Sequence, residues 1–513
     1  MPVSVKKEVI TAGFFLIFLG LVFNEKVVIA LFSPDGIIEP SARGIIWVFD
    51  IVFCLAGLTI LIFRKRISSI SPPNFPAMRE GGHALEIVLA FGIAFRILVY
   101  GFLFPENNDP HLEVIEFITN RHELPASNLL LMAFHPPLYY LLAALWDMIG
   151  SPKFIQLFSL LLSIGNIYLL YRLIKITPLL HDPQARMHTL LFVALLPQFV
   201  IFGNFISNDS LAFLLGTFTI ILSVNFIEQP TRKNLVFLSI SLGAGLLTKG
   251  SFFAYVPLLF LVVVLAGLGQ KFALKQHLPG LLLFGCITLA CGSYKFIENS
   301  VFLGTPFPRM SELEHGYIER QKGTYQGLQS ILDVNLLKLL RHPFWSEHTT
   351  HSIPLLMYGT FWYPYIPESN FLATRYFPLN VLPRAIILMG LLPTFLILTG
   401  TGNNLLRKGQ LKGLLGENDG TIKTRMQEIV ITWSLISSFA LVLVWGLRFD
   451  AWSFFQGRLL FPCMISIAIL FGWGYETWVR VRPTLRPGLN FALFSVYSIL
   501  SLYLIAEVGS QII

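Results

Sequence analysis

Two stretches of this sequence carry residues whose types and spacing could do chemistry. The first runs Glu106-Asn107-Asn108-Asp109-Pro110-His111 and continues into a short amphipathic segment. Asp109, Glu113, Glu116 and Asn120 recur at i, i+4, i+7 and i+11, which is one face of a helix, and Leu112, Ile115 and Ile118 take the other. Such a helix is expected to lie in a membrane interface with its acidic face toward a cavity. Asp109 has two readings. Asp before Pro is a standard helix start, and a carboxylate at the mouth of a cavity is also a candidate for catalysis. The second stretch, His135-Pro136-Pro137-Leu138, starts an apolar run to residue 149 that is too short to cross a bilayer. His135 is therefore either a polar flank of that helix or a site residue.

Two cations stand out for their setting. Lys249 falls in Thr248-Lys249-Gly250 between two apolar runs, and Arg458 follows Gln456-Gly457 at the start of another. Both are placed at span ends, at the level of lipid headgroups. A charge at such a depth either snorkels to water or serves the protein's function. Asp209, after Ser207-Asn208, either caps a span or holds Lys249 or His135 in place. Arg96 and Asp50 lie at similar depth inside spans and are expected to pair structurally.

The elements that must position these groups are set by composition. Of 513 residues, 54% are hydrophobic and only 13% charged. A soluble domain has about 25% charged residues, so most of this chain meets lipid. Apolar runs of spanning length fall near 9–31, 44–63, 83–104, 153–174, 186–205, 209–227, 234–247, 251–267, 279–297, 383–403, 427–446, 457–477 and 488–510. The expectation is an all-α polytopic transmembrane helical bundle of about thirteen spans, with interfacial helices in the first outer loop. The net charge of +8 does not mark a nucleic-acid binder. Lys6 and Lys7, Arg64 to Arg66, Arg172 and Lys175, Arg232 and Lys233, Arg407 and Lys408, and Arg480 to Arg486 all fall on one side of that topology, as the positive-inside rule requires. Two long loops then lie outside, 105–152 and 298–382. The four cysteines sit in apolar runs with no metal-ligand spacing.

The second outer loop holds Arg309, Glu312, Glu314, His315, Arg341, His342, His348 and His351, whose spacing fits solvated loop residues better than a metal site. Its aromatic stretch Phe361-Trp362-Tyr363-Pro364-Tyr365 suits an interface belt, and the loop is the best candidate for contact with an acceptor.

Taken together, Asp109 in the first outer loop, His135-Pro136-Pro137-Leu138, Ser207-Asn208-Asp209-Ser210, Leu247-Thr248-Lys249-Gly250 and Gln456-Gly457-Arg458-Leu459-Leu460-Phe461-Pro462 resemble the GT-C glycosyltransferases. The nearest branch is the protein O-mannosyltransferases and the bacterial lipid A aminoarabinose transferases. The resemblance covers roughly residues 83–477. It implies a GT-C-like catalytic transmembrane domain over that range, preceded by two spans and a cytoplasmic loop (1–82) and followed by a last span (478–513). The family's first-loop motif is often a paired Asp-Glu, whereas Asp109 here is followed by Pro110.

The resemblance implies a hexosyl- or pentosyltransferase that takes a sugar from a polyprenyl-phosphate donor and passes it to a lipid, glycan or protein acceptor at the outer face of a membrane, here read as a bacterial plasma membrane. Asp109 is expected to be the base, and Lys249 and Arg458 to face the phosphate. His135, Asp209, Glu113 and Glu116 are expected to contact substrate. No cofactor is required; a divalent cation is compatible with this chemistry but not demanded by it. The competing reading is a transporter or flippase of lipid-linked sugars. Polar signals gathered at outer span ends and in two long outer loops favour the enzyme.

Overall fold

A computed structural model describes residues 83–103, 105, 109–269, 274–308, 325, 327–343, 347–363, 377–406, 419–449 and 452–510, with scattered positions between 14 and 62. Among the described residues every regular element is a helix. The expected spans 9–31 and 44–63 lie largely outside them, as do Arg309, Glu312, Glu314 and His315.

From residue 83 onward each expected span coincides with a helix, but several are broken. Helix α1 (Ala84–Phe102) leads into the first long loop, which holds α2 (His111–Arg121) and α3 (Leu138–Asp147). Helix α4 (Pro152–Ile176) starts at Ser151, whose hydroxyl accepts the Lys153 N–H, with Pro152 in the first turn. The run expected at 186–205 is split into α5 (Pro183–Leu195) and α6 (Pro197–Phe202). Proline has no N–H to give the Val193 carbonyl one turn back, so the helix ends there. Helices α7 (Asn208–Glu228) and α8 (Arg232–Leu246) follow, then a 3₁₀ turn (Gly250–Ala254) and α9 (Tyr255–Gly269). Helices α10 (Leu274–Gly292) and α11 (Tyr294–Leu303) meet at a 52° bend.

In the second long loop α12 (Ile353–Trp362) is the longest helix among the described residues before α13 (Phe377–Met389), and α14 (Leu391–Leu406) continues the chain. Helix α15 (Asp419–Phe449), a 3₁₀ segment (Gly457–Cys463) running into α16 (Met464–Val481), and α17 (Arg486–Ser510) complete it. Among the described residues seven helices are long and apolar enough to cross a membrane, or eight if the bent pair is one span. The chain is an integral, multi-pass, all-α membrane protein.

The span from Gly457 to Val481 is 89% buried within the protein, against 28% for α1. The segment that starts with Arg458 is thus the axis of the bundle, and α1 is peripheral, with Ile87, Phe91 and Phe102 turned outward. Close packing around the axis needs glycine. A Cβ on Gly216 of α7 would sit 2.0 Å from the Pro462 carbonyl oxygen, and one on Gly474 of α16 would sit 1.9 Å from the Leu396 oxygen of α14.

Arg96 is fully buried, and its partner differs from the expected one. Its guanidinium donates to Ser163 Oγ at 3.0 Å and to the carbonyls of Gly92, Ala194 and Val193 at 3.0, 3.2 and 3.3 Å. The break before Pro197 leaves the Val193 carbonyl open to Arg96, so oxygen dipoles rather than Asp50 satisfy the charge.

Candidate active site

The five segments singled out in the sequence converge on one cavity of about 240 Å³. Asp109, His135, Asp209, Lys249 and Arg458 all line it, two from the first long loop and three from span ends.

The first loop reaches the cavity because α2 and α3 form a core of their own. Val114, Ile115 and Ile118 of α2 pack with Tyr139, Tyr140 and Ala143 of α3 against Ile155 of α4 and Leu211 of α7. Burying that stripe turns the opposite face outward. Glu113 and Glu116 are exposed and do not line the cavity, which corrects the expectation that the acidic face looks inward. The helix starts at His111, with Pro110 in the N-cap position and no side-chain cap there. Asp109 thus precedes the helix, and its carboxylate lies 3.8 Å from Arg458 Nη2, an ion pair too long for a hydrogen bond.

Arg458 is held from below. Gly457 donates its N–H to Thr360 Oγ1 at 2.7 Å, and the guanidinium carbon lies 4.3 Å from the centre of the Phe202 ring. Its Nε and Nη1 are buried without a hydrogen-bond partner among the described residues. A buried charged donor left unsatisfied is costly, so this guanidinium suits an arriving anion.

Lys249 follows α8 and pairs closely with Asp209. Asp209 is 4% exposed and stands in the first turn of α7, where Ser207 supplies the cap by accepting its N–H at 3.2 Å. The helix dipole favours a carboxylate in that place. The carboxylate meets Lys249, and Ser207 rather than Asp209 caps the helix.

His111 is a site residue that the sequence reading passed over. Its Nδ1 meets the Tyr140 hydroxyl at 2.8 Å and its Nε2 meets Ser207 Oγ at 3.4 Å. Burial above all, reinforced by the positive charge of Lys249, pushes its imidazole down to about 3. His135 is pushed down to about 3 as well, again first by burial and then by His111 and Lys249. Both rings are neutral at pH 7. Burial also raises the phenols of Tyr139 and Tyr140, which stay protonated and able to donate.

From the second long loop, Asn299 and Phe307 line the cavity. Of the aromatic stretch, Phe361, Trp362 and Tyr363 do not, and Pro364 and Tyr365 lie outside the described residues. Trp362 and Tyr363 are fully buried, and Phe361 packs on Phe461, so this part is core rather than interface belt. His342 and His351 do not line the cavity either. Among the described residues no three His, Cys, Asp or Glu side chains are grouped as metal ligands would be.

Comparison with known proteins follows the same lines. Residues 134–293 match the family model described as dolichyl-phosphate-mannose-protein mannosyltransferase. That stretch contains His135, Asp209 and Lys249. Among solved structures, ArnT from Cupriavidus metallidurans, determined bound to undecaprenyl phosphate, is similar at 12% identity and a TM-score of 0.36 over 79% of this chain and 80% of that one. No curated protein matches. The family match covers three of the five segments, those of His135, Asp209 and Lys249: over residues 134–293 the chain is similar to the dolichyl-phosphate-mannose-protein mannosyltransferases, a GT-C glycosyltransferase family.

Proposed function

We propose that this protein is a glycosyltransferase that moves a hexosyl or pentosyl group from a polyprenyl-phosphate donor to an acceptor at the outer face of a bacterial plasma membrane, with residues 83–477 as the catalytic unit. The observation that carries the reading is the cavity itself. It gathers one carboxylate beside a guanidinium with two unpartnered nitrogens, together with a second cation, at span ends.

In this reading the acceptor hydroxyl oxygen attacks the anomeric carbon as that carbon's bond to the phosphate oxygen breaks. The bonding pair stays on the phosphate, and the hydroxyl proton passes to Asp109. Arg458 and Lys249 meet the charge that grows on the leaving group. The neutral imidazole of His135 and the carboxylate of Asp209 are placed toward the donor. Glu113 and Glu116, outside the cavity, are left to the side from which an acceptor approaches. The charged groups that line the cavity come from span ends and the first loop, which supports transfer over transport.

The test is transfer of radiolabelled sugar in membranes supplied with polyprenyl-phosphate sugars. Asp109→Asn should reduce transfer roughly 10²–10⁴-fold, the usual contribution of a positioned base, with unchanged protein in the membrane. Turnover close to that of the unmodified protein would remove Asp109 from the role.

A further inference from the structure

The 52° bend between α10 and α11 turns the polar face of α11 inward. Lys295 and Asn299 are each 2% exposed, whereas Ile297 and Val301 face out. An apolar-outward helix suits lipid, but its buried side must then satisfy three polar side chains, Lys295, Glu298 and Asn299, of which Asn299 lines the cavity. Glu298 takes Lys295 Nζ at 3.0 Å on one carboxylate oxygen, and on the other it accepts both the N–H and the hydroxyl of Ser127 at 3.2 Å. Asn299 Nδ2 donates to the Phe134 carbonyl at 3.0 Å and to the Pro306 carbonyl at 3.4 Å. Two carbonyl acceptors fix which end of the amide is nitrogen.

The Phe134 carbonyl belongs to the peptide that carries the His135 N–H, and that N–H donates to Met132 O at 3.1 Å. Both polar ends of one peptide plane are therefore held, and Pro136, with its own φ fixed, biases His135 before it toward extended backbone. On the far side of the proline pair, Leu138 N donates to Leu247 O at 2.9 Å, two residues before Lys249. His135 is strung between two anchors, one on α11 and one on the Lys249 turn. The same Asn299 amide ties this wall to the segment before Phe307, whose ring packs with Phe296 and lies 6.2 Å from Trp445.

We infer that Asn299 is a positioning residue that fixes His135 at the donor side of the cavity and joins the two long loops across it, with Glu298 as the second half of the clamp. This rests on the glycosyl-transfer reading above. Removing the amide frees the carbonyl end of the peptide before His135, and the main part of the effect passes through His135, with a smaller part through the Pro306 contact.

The experiment is a double-mutant cycle on transfer from a polyprenyl-phosphate sugar, using Asn299→Ala and Asn299→Asp with His135→Ala, and Lys249→Ala as a separate background. Asn299→Asp keeps the volume but sets a carboxylate oxygen against two carbonyls. Each Asn299 variant should raise KM for the donor roughly tenfold, the scale of one buried hydrogen bond, with kcat changed far less. In the His135→Ala background the Asn299 effect should shrink to the small part carried by the Pro306 contact, and in the Lys249→Ala background it should persist in full. Full additivity with His135→Ala, or donor KM unchanged in both Asn299 variants, overturns the inference while leaving the transferase reading in place. No transfer by the unmodified protein overturns that reading and this inference with it.

Discussion

Removing Lys249 alone should cost more stability than removing Lys249 and Asp209 together. The Asp209 carboxylate is 6% exposed and the Lys249 side chain 17%, so the pair is desolvated mainly on the acidic side. Taking one partner from a buried ion pair costs about 3–5 kcal/mol, because the other charge stays behind. Here the first turn of α7 offsets roughly 1 kcal/mol of that for the carboxylate, which leaves about 2–4 kcal/mol for Lys249→Met. Asp209→Asn should cost less, since the lysine left behind can turn to the cavity. The double variant Lys249→Met with Asp209→Asn carries no stranded charge and should recover most of the loss. Donor binding should not recover. A lysine hydrogen bond to phosphate is worth about 1.5–3 kcal/mol, so both variants lacking Lys249 should bind polyprenyl phosphate roughly 10–150-fold more weakly. Thermal unfolding of the purified protein in detergent, run beside polyprenyl-phosphate binding, separates the two effects. A Lys249→Met variant as stable as the unmodified protein would refute the ion-pair argument. A double variant that regains binding would refute the phosphate role.

Other outcomes follow from the same geometry. His111 and His135 both have folded-state values near 3, below the ordinary histidine value of 6.5. The unfolded chain therefore binds more protons between those limits. The stability tied to keeping them neutral is complete above pH 6.5 and falls with acidification toward pH 3, by up to about 1.4 kcal/mol per pH unit for each ring. Unfolding midpoints measured from pH 7 to 4 should show a shallower decline in His135→Asn. Gly216→Ala would put a Cβ 2.0 Å from Pro462 O. Overpacking of this kind costs about 1–3 kcal/mol and displaces the segment bearing Arg458, so donor binding should weaken along with thermal stability. Glu113→Gln and Glu116→Gln should leave polyprenyl-phosphate binding within about twofold, since exposed charges outside a site contribute little. A larger loss in the binding assay would place them in the donor site after all.

What was legible in the sequence followed from chemistry that local residues cannot hide. A lysine in Thr-Lys-Gly between apolar runs, and an arginine opening the most buried span, have few structural uses, and both line the cavity. His135 was legible through the two prolines after it. The orientation of α2 was not, because Asp109, Glu113 and Glu116 share a face only by helical period. Which face turns inward was decided by Tyr139 and Tyr140 of α3, whose contact with α2 no periodicity reveals. Asn299 was hidden for a related reason. The run 279–297 was read as one straight span, so the residues beyond it fell into a loop. The 52° bend instead carries the helix across the first loop. His111 was overshadowed by the Asp-Pro pair before it, although a histidine in a helix's first turn beside an acid was the available signal. The Arg96 pairing with Asp50 failed because a proline elsewhere in the bundle had freed the Val193 carbonyl.

The charge arrangement also bears on how transfer would proceed. Each cation in the cavity already faces a carboxylate, Arg458 at Asp109 and Lys249 at Asp209. These pairs differ in kind. Lys249 and Asp209 are in direct contact, while Arg458 stands 3.8 Å from a carboxylate whose side chain is 30% exposed, with two of its nitrogens unmatched. In the proposed reaction Asp109 takes the acceptor proton and becomes neutral. At that moment Arg458 loses its anionic partner, and the leaving phosphate gains a full negative charge. The guanidinium then interacts most strongly with phosphate when the bond to the sugar is breaking, which is the condition for lowering the barrier rather than only binding the donor. Lys249, fixed by Asp209 throughout, has no such change and should contribute mainly to donor affinity. Arg458→Lys is therefore expected to lower kcat more than it raises donor KM, whereas Lys249→Met should do the reverse. Steady-state transfer measured over a range of donor concentrations distinguishes the two, and equal effects on both parameters in both variants would show that the cations share a single role.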